Sequence, residues 1–148
     1  MQILQQKVEH VIKYVRRKRR MKKRVMTVDD EPDVTYCLKA CLEETGLVQV
    51  DGYVDPFLAL AKFKPSTFDL VILDIRMPVM NGFQLYQKLK SIDDDVKVCF
   101  LTAVHDLSDY KEAYPDIIDA IENDEMKCFL DKPVGSEQLR TLVKNIIN

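Results

Sequence analysis

The sequence predicts an α/β domain: a doubly wound, five-stranded parallel sheet with helices on both faces, preceded by a basic helical extension. Three observations carry this. Short apolar runs alternate five times with segments of helical periodicity. One run, Leu70-Val71-Ile72-Leu73, is apolar at every position, as a strand covered on both faces must be. Several of the runs stop abruptly at Asp, Thr or Lys. With 148 residues the chain is long enough for one domain with its own core and a tail. No apolar run approaches the length of a membrane span, and no secretory signal opens the chain, so a cytoplasmic protein is expected.

Charge divides the chain at about residue 24. Residues 1–24 hold ten Lys/Arg and one Glu, net +9, and the remainder holds twelve Lys/Arg and 23 Asp/Glu, net −11. Such asymmetry suggests separate partners for the two parts. In the first twenty residues Leu4, Val8, Val11 and Val15 recur at helical spacing, and Arg16 to Arg24 is an almost unbroken basic run. The stripe has coiled-coil spacing for only two heptads. This arm, residues 1–22, is read as an extension that packs on a partner, contacts nucleic acid or another anionic surface through its charge, or stays solvated. It lacks aromatic interleaving for base stacking, and His10 has no recognisable phosphoacceptor context.

The domain proper, residues 23–148, then reads as follows. Val25 to Val28 forms the first strand and runs into Asp29-Asp30-Glu31-Pro32, with proline suited to a first helical turn. Val34, Cys37, Leu38, Cys41 and Leu42 mark the helix, which Gly46 stops. Val48 to Tyr53 is the second strand. Pro56 to Phe63 is a helix with Phe57, Leu60, Ala61 and Phe63 toward the core. Leu70 to Leu73 is the third strand, followed by a loop to Gly82 and a helix from Phe83 to Ile92. Val96 to Leu101 is the fourth strand. Pro115 interrupts the next helical stretch, so a split helix or an inserted loop is expected near Tyr114-Pro115. Met126 to Leu130 is the fifth strand. Ser136 is read as the cap of a last helix whose apolar face is Leu139, Leu142, Val143, Ile146 and Ile147. Cys37, Cys41, Cys99 and Cys128 show no metal spacing and are read as reduced, mostly buried small residues.

In open parallel sheets ligands bind beyond the carboxyl ends of the strands. Asp29, Asp30, Asp74, Thr102 and Lys132 stand there. Three carboxylates at one mouth suit a small divalent cation, and Mg²⁺ commonly accompanies phosphate. A lysine and a hydroxyl can hold phosphoryl oxygens, and a carboxylate can be the nucleophile. Asp74, after the most apolar strand, is the candidate.

Four motifs then carry a resemblance: Val28-Asp29-Asp30-Glu31-Pro32, Leu73-Asp74 through Met77-Pro78 to Asn81-Gly82, Leu101-Thr102-Ala103, and Asp131-Lys132-Pro133. The sequence resembles the receiver domains of two-component response regulators, in particular the single-domain chemotaxis type. The resemblance implies a flavodoxin-like strand order 2-1-3-4-5 and no enzymatic role beyond self-catalysed phosphorylation and dephosphorylation. Asp74 would be the phosphoacceptor. Asp29, Asp30, Asp74 and the Arg76 backbone carbonyl would hold Mg²⁺. Thr102 and Lys132 would bind the phosphoryl group, Phe129 would be the switch aromatic, and Lys132-Pro133 would be a cis peptide. A histidine kinase or phosphotransfer protein would be the donor. The fourth helix, fifth strand and fifth helix of the domain would face a protein partner. The chain ends with that helix, so a stand-alone regulator is expected. The alternative is a nucleic-acid-associated regulator whose basic arm is the effector. The path from Thr102 to Lys132 is longer than the receiver pattern, and His105 within it reads as a solvated loop residue. A related doubly wound phosphatase would need a second aspartate two residues after Asp74, where Arg76 stands.

Overall fold

The computed structural model describes residues 1–148 except 104–106, 124, 126–127 and 148, and gives no side-chain environment for residues 18–21 and 146–147. His105 and Met126 therefore lie outside the described residues, as do the side chains of Ile146, Ile147 and the centre of the basic run.

Helix α1 (Gln2–Met21) precedes a five-stranded sheet: β1 (Lys23–Val28), β2 (Val48–Tyr53), β3 (Leu70–Leu73), β4 (Lys97–Thr102) and β5 (Phe129–Asp131). All pairings are parallel and the order is β2-β1-β3-β4-β5. The connecting helices are α2 (Pro32–Glu43), α3 (Pro56–Lys62), α4 (Gly82–Ile92), α5 (Ser108–Lys111), α6 (Pro115–Glu122) and α7 (Ser136–Ile147).

Side chains alternate across β3. Val71 and Leu73 join a core with α3, α4 and α6, whereas Leu70 and Ile72 join a second core with α2 and α7. All four are essentially inaccessible, which explains the uninterrupted apolar run. The helices start where local chemistry favours it. Pro32, Pro56 and Pro115 stand at first-turn positions. Asp55 accepts from the Phe57 N–H, and Asn81 and Gln84 form a reciprocal capping box on α4.

Several expectations need correction. Phe57 and Ala61 face solvent; Pro56 and Ala59 fill the buried positions of α3 beside Phe63. The helix is short, and its inward face passes through Ala59 instead. Ser136 lies inside α7, and Gly135 occupies the capping place: its carbonyl accepts from the Leu139 N–H at 3.2 Å and its N–H donates to Gln138. The described part of the fifth strand is Phe129–Asp131, with Cys128 ahead of it not in the strand and residues 126–127 outside the described residues. The stretch before it is split into α5 and α6, with Tyr114 ahead of Pro115.

The cysteines differ most from expectation. Cys99 and Cys128 form a disulfide, with Cα atoms 4.6 Å apart, because the parallel register that pairs Phe100 with Phe129 sets the two preceding residues opposite each other. Cys37 is exposed and Cys41 half-buried, both as free thiols.

Candidate functional site

Sheet order reverses between β1 and β3, so the loops that follow them turn to opposite faces and leave a crevice at their carboxyl ends. Backbone bonds carry the ladder into this crevice. Asp29 N–H donates to the Tyr53 carbonyl at 3.0 Å, Asp74 N–H to Val28 at 2.9 Å, and Lys132 N–H to Thr102 at 2.9 Å. Asp29, Asp74 and Lys132 are thus each tied by their own N–H to the end of a neighbouring strand.

Asp29, Asp30 and Asp74 each place a carboxylate oxygen within 4.8 Å of the others. Asp29 and Asp74 are buried and Asp30 is the more open. The Lys132 ammonium meets Asp29 at 2.6 Å, Glu31 at 3.4 Å and Asp74 at 3.6 Å. Asp29 also accepts from the Glu31 N–H at 2.9 Å, and its carbonyl accepts from the Thr35 hydroxyl at 3.0 Å. Among the described residues, Lys132 thus pairs with three carboxylates, and Asp30 adds a fourth negative group to the cluster. Burial therefore pushes the Asp74 carboxyl up to about 7, the Asp29 charge adds to the rise, and Lys132 only partly opposes it. Burial also raises Asp29, against the hydrogen bond from Lys132. Burial pulls Lys132 down, but its bond to Asp29 and the surrounding carboxylates outweigh that and hold it above its usual value.

Thr102 is fully buried at the end of β4. Phe129 is half-buried one strand over, its ring 6.5 Å from Phe100. The Lys132–Pro133 peptide is cis. Arg76 follows Asp74 by two residues, with its side chain exposed. Asp29, Asp30, Asp74, Thr102 and Lys132 thus gather at the carboxyl edge of the sheet, with Arg76 in the loop beyond β3, Pro133 just beyond β5, and Phe129 behind the site on β5.

Two contributors were not singled out. Glu31 supplies a third carboxylate to Lys132; as part of an acidic turn it carried no distinguishing signal. Gly82 passes so close to the loop that a Cβ there would overlap the Asp74 carbonyl oxygen and come within 2.9 Å of the Ile75 Cα. Its N–H donates to the Ile75 carbonyl at 2.8 Å. That close approach is visible only once the loop is folded.

Residues 25–144 match the response regulator receiver domain family. The chain belongs to that family. A receiver domain is a phosphoacceptor signalling module of two-component systems, and its acidic pocket here is consistent with phosphorylation of an aspartate. The chain is 33% identical over 125 residues to the response regulator Rre1 of Synechocystis, covering 83% of this chain and 51% of that protein, so it spans about half the length of that relative. Among solved structures it resembles a CheY-like receiver domain from Methanospirillum hungatei, with a TM-score of 0.70 and 25% identity over 85% of this chain and 94% of that one. It also resembles the non-phosphorylated HemR receiver domain from Leptospira biflexa, with a TM-score of 0.69 and 26% identity over 86% and 95%. Among the described residues, no helix is long and apolar enough to cross a membrane.

The three carboxylates fit a divalent cation. They are hard oxygen donors gathered within a few ångströms, and their charge exceeds what Lys132 neutralises.

Proposed function

We propose that this receiver, residues 23–148 beyond the arm of residues 1–22, is phosphorylated on Asp74 by a histidine kinase or a phosphotransfer protein. The observation that carries the proposal is the placement of Asp74: nearly buried, at the strand end beside the sheet's crevice, 3.6 Å from a lysine and among carboxylates that resist its ionisation. Asp29, Asp30, Asp74 and the Arg76 backbone carbonyl would hold Mg²⁺. Bound there, the cation would supply positive charge to the phosphoryl oxygens and keep Asp74 ionised.

This chain's own residues then do the following. An Asp74 carboxylate oxygen attacks the phosphorus of the phosphohistidine. The P–N bond breaks, its electron pair stays on the imidazole, and the imidazole takes up a proton. Lys132 exchanges part of its hold on Asp29 for a phosphoryl oxygen. The Thr102 hydroxyl donates to a second oxygen. A dianionic group in a nearly buried site needs both. Thr102 lies at the end of β4, next to β5, and its movement opens space that Phe129 fills. That repacking alters the surface of α6, β5 and α7, the face offered to a downstream protein.

The test is intact-mass analysis after incubation with a small phosphodonor such as phosphoramidate. The wild type should gain one phosphoryl group with Mg²⁺ and none with a chelator. Asp74→Asn should gain none in either condition while keeping a cooperative unfolding transition. Labelling of folded Asp74→Asn equal to the wild type would overturn the assignment.

A further inference from the structure

Helix α1 is exposed from Gln2 through Arg17. Ile3, Leu4, Val8, Val11, Ile12 and Val15 are each 43–70% accessible. At 3.6 residues per turn these six fall on about half of the helix circumference. Lys7 interrupts that face near Ile3, where a long stem can lift its ammonium to the rim. Glu9, Lys13 and Arg16 lie opposite, and through Met21 the helix holds seven Lys/Arg and one Glu, net +6, while Lys23 and Arg24 at the end of the basic run lie in β1, paired with Asp69 and Asp51. The helix therefore presents an apolar face left exposed among the described residues and a strong positive charge together, on a chain whose residues 25–148 carry −11.

The two features select one occupant. A nucleic acid would neutralise the charge but leave six aliphatic side chains in water. Self-pairing as a coiled coil would use Leu4, Val8, Val11 and Val15, yet that seam runs for only two heptads, and Ile3 and Ile12 widen the apolar face beyond a two-position seam. An anionic lipid surface satisfies both features: the aliphatic face enters the headgroup–acyl boundary and the cations meet the headgroups. We propose that α1 is an interfacial helix that docks the receiver on an anionic membrane surface without spanning it. The acidic body is repelled by such a surface, so the arm alone makes the contact. The arm joins the sheet at Lys23, the amino end of β1, whereas Asp29 and Asp74 lie at the carboxyl ends of the strands, about 20 Å away for a six-residue strand. Docking through α1 leaves the acidic pocket open to a phosphodonor.

The test uses the full chain in vesicle flotation. One vesicle set is phosphatidylcholine alone; the other mixes two parts phosphatidylcholine with one part phosphatidylglycerol. Wild type should float with the mixed vesicles, not with phosphatidylcholine alone, and should be released progressively by salt. Val8→Ser/Val11→Ser, which leaves the charge unchanged, should bind the mixed vesicles at least about tenfold more weakly. Both sites are exposed outside the core, so its melting temperature should equal that of the wild type. Failure of the wild type to float with mixed vesicles would overturn the proposal. So would equal flotation of the two proteins. Duplex DNA binding untouched by the double variant, or a dimer that it abolishes, each without flotation of the wild type, would assign the helix to those occupants instead.

Discussion

Replacing Asp74 with asparagine removes a carboxylate that the folded chain resists ionising. The carboxyl is 5% exposed, and burial with the neighbouring Asp29 raises it from 3.8 to about 7. Between those two values the folded protein holds a proton that the unfolded chain has released. Stability without a divalent cation therefore falls as pH rises from about 4 to about 7, and is flat above that. Asp29, also raised, acts with the same sign at the acidic end. Lys132, held above its usual value, contributes stability throughout this window and loses it only as pH climbs through its own titration. Raising the carboxyl from 3.8 to about 7 corresponds to about 4 kcal/mol. Asparagine keeps the shape of the neutral acid but gives Lys132 less charge to pair with. The net gain for Asp74→Asn should thus be about 2–4 kcal/mol at pH 8 in chelator, or roughly 6–12 °C in melting temperature. Near pH 4 it should shrink below about 1 kcal/mol. Millimolar Mg²⁺ should narrow the gap at pH 8 by stabilising the wild type more than the variant, which keeps Asp29, Asp30 and the Arg76 carbonyl but lacks the third carboxylate. Thermal melts of both proteins at pH 4, 6 and 8, with chelator and with Mg²⁺, read all of this. A variant no more stable than the wild type at pH 8, or a gain independent of pH, would refute the reasoning.

Three further outcomes follow from the same geometry. Gly82→Ala forces a Cβ against the Asp74 carbonyl and the Ile75 Cα. Backbone must shift, so urea denaturation should show a loss of about 3 kcal/mol or more, with weakened phosphorylation in any folded fraction. Lys132→Ala leaves Asp29 and Asp74 buried without their shared cation. It should cost about 3–5 kcal/mol in chelator at pH 8, and less with Mg²⁺. The Cys99–Cys128 bond closes 29 residues of sequence separation. Reduction should lower stability by about 3–4 kcal/mol, and Cys128→Ser should cost the same with no added effect of reductant. Equal melts with and without reductant would contradict this last expectation.

Much of this molecule was legible because each level of its pattern agrees with the next. The bounds of β3 coincide with its apolar run because a central strand of a parallel sheet is covered on both faces, whereas β2, at the sheet edge, was legible from Val48 and Val50 alternating with polar Gln49 and Asp51. The site was legible for a topological reason: parallel strands end at one edge, so polar residues at four strand ends must converge. Features that depend on three-dimensional register were not. The opposition of Cys99 and Cys128 needs the β4–β5 pairing, and neither their spacing nor their surroundings in sequence signals it. Phe57 was misplaced because a seven-residue helix gives too few turns for periodicity to fix its inward face. Gly82 looked like an ordinary loop glycine until its approach to the Asp74 carbonyl was known. Glu31 gained its role only when Lys132, 101 positions away, came within reach.

The central claim is that Asp74 carries the phosphoryl group. Borohydride reduces an aspartyl phosphate to homoserine and leaves free carboxylates intact, so the labelled position can be read by peptide mass spectrometry. After phosphorylation in Mg²⁺, homoserine should appear at position 74 and be absent from chelator controls. Homoserine at position 29 or 30 instead, with position 74 unchanged, would contradict the account.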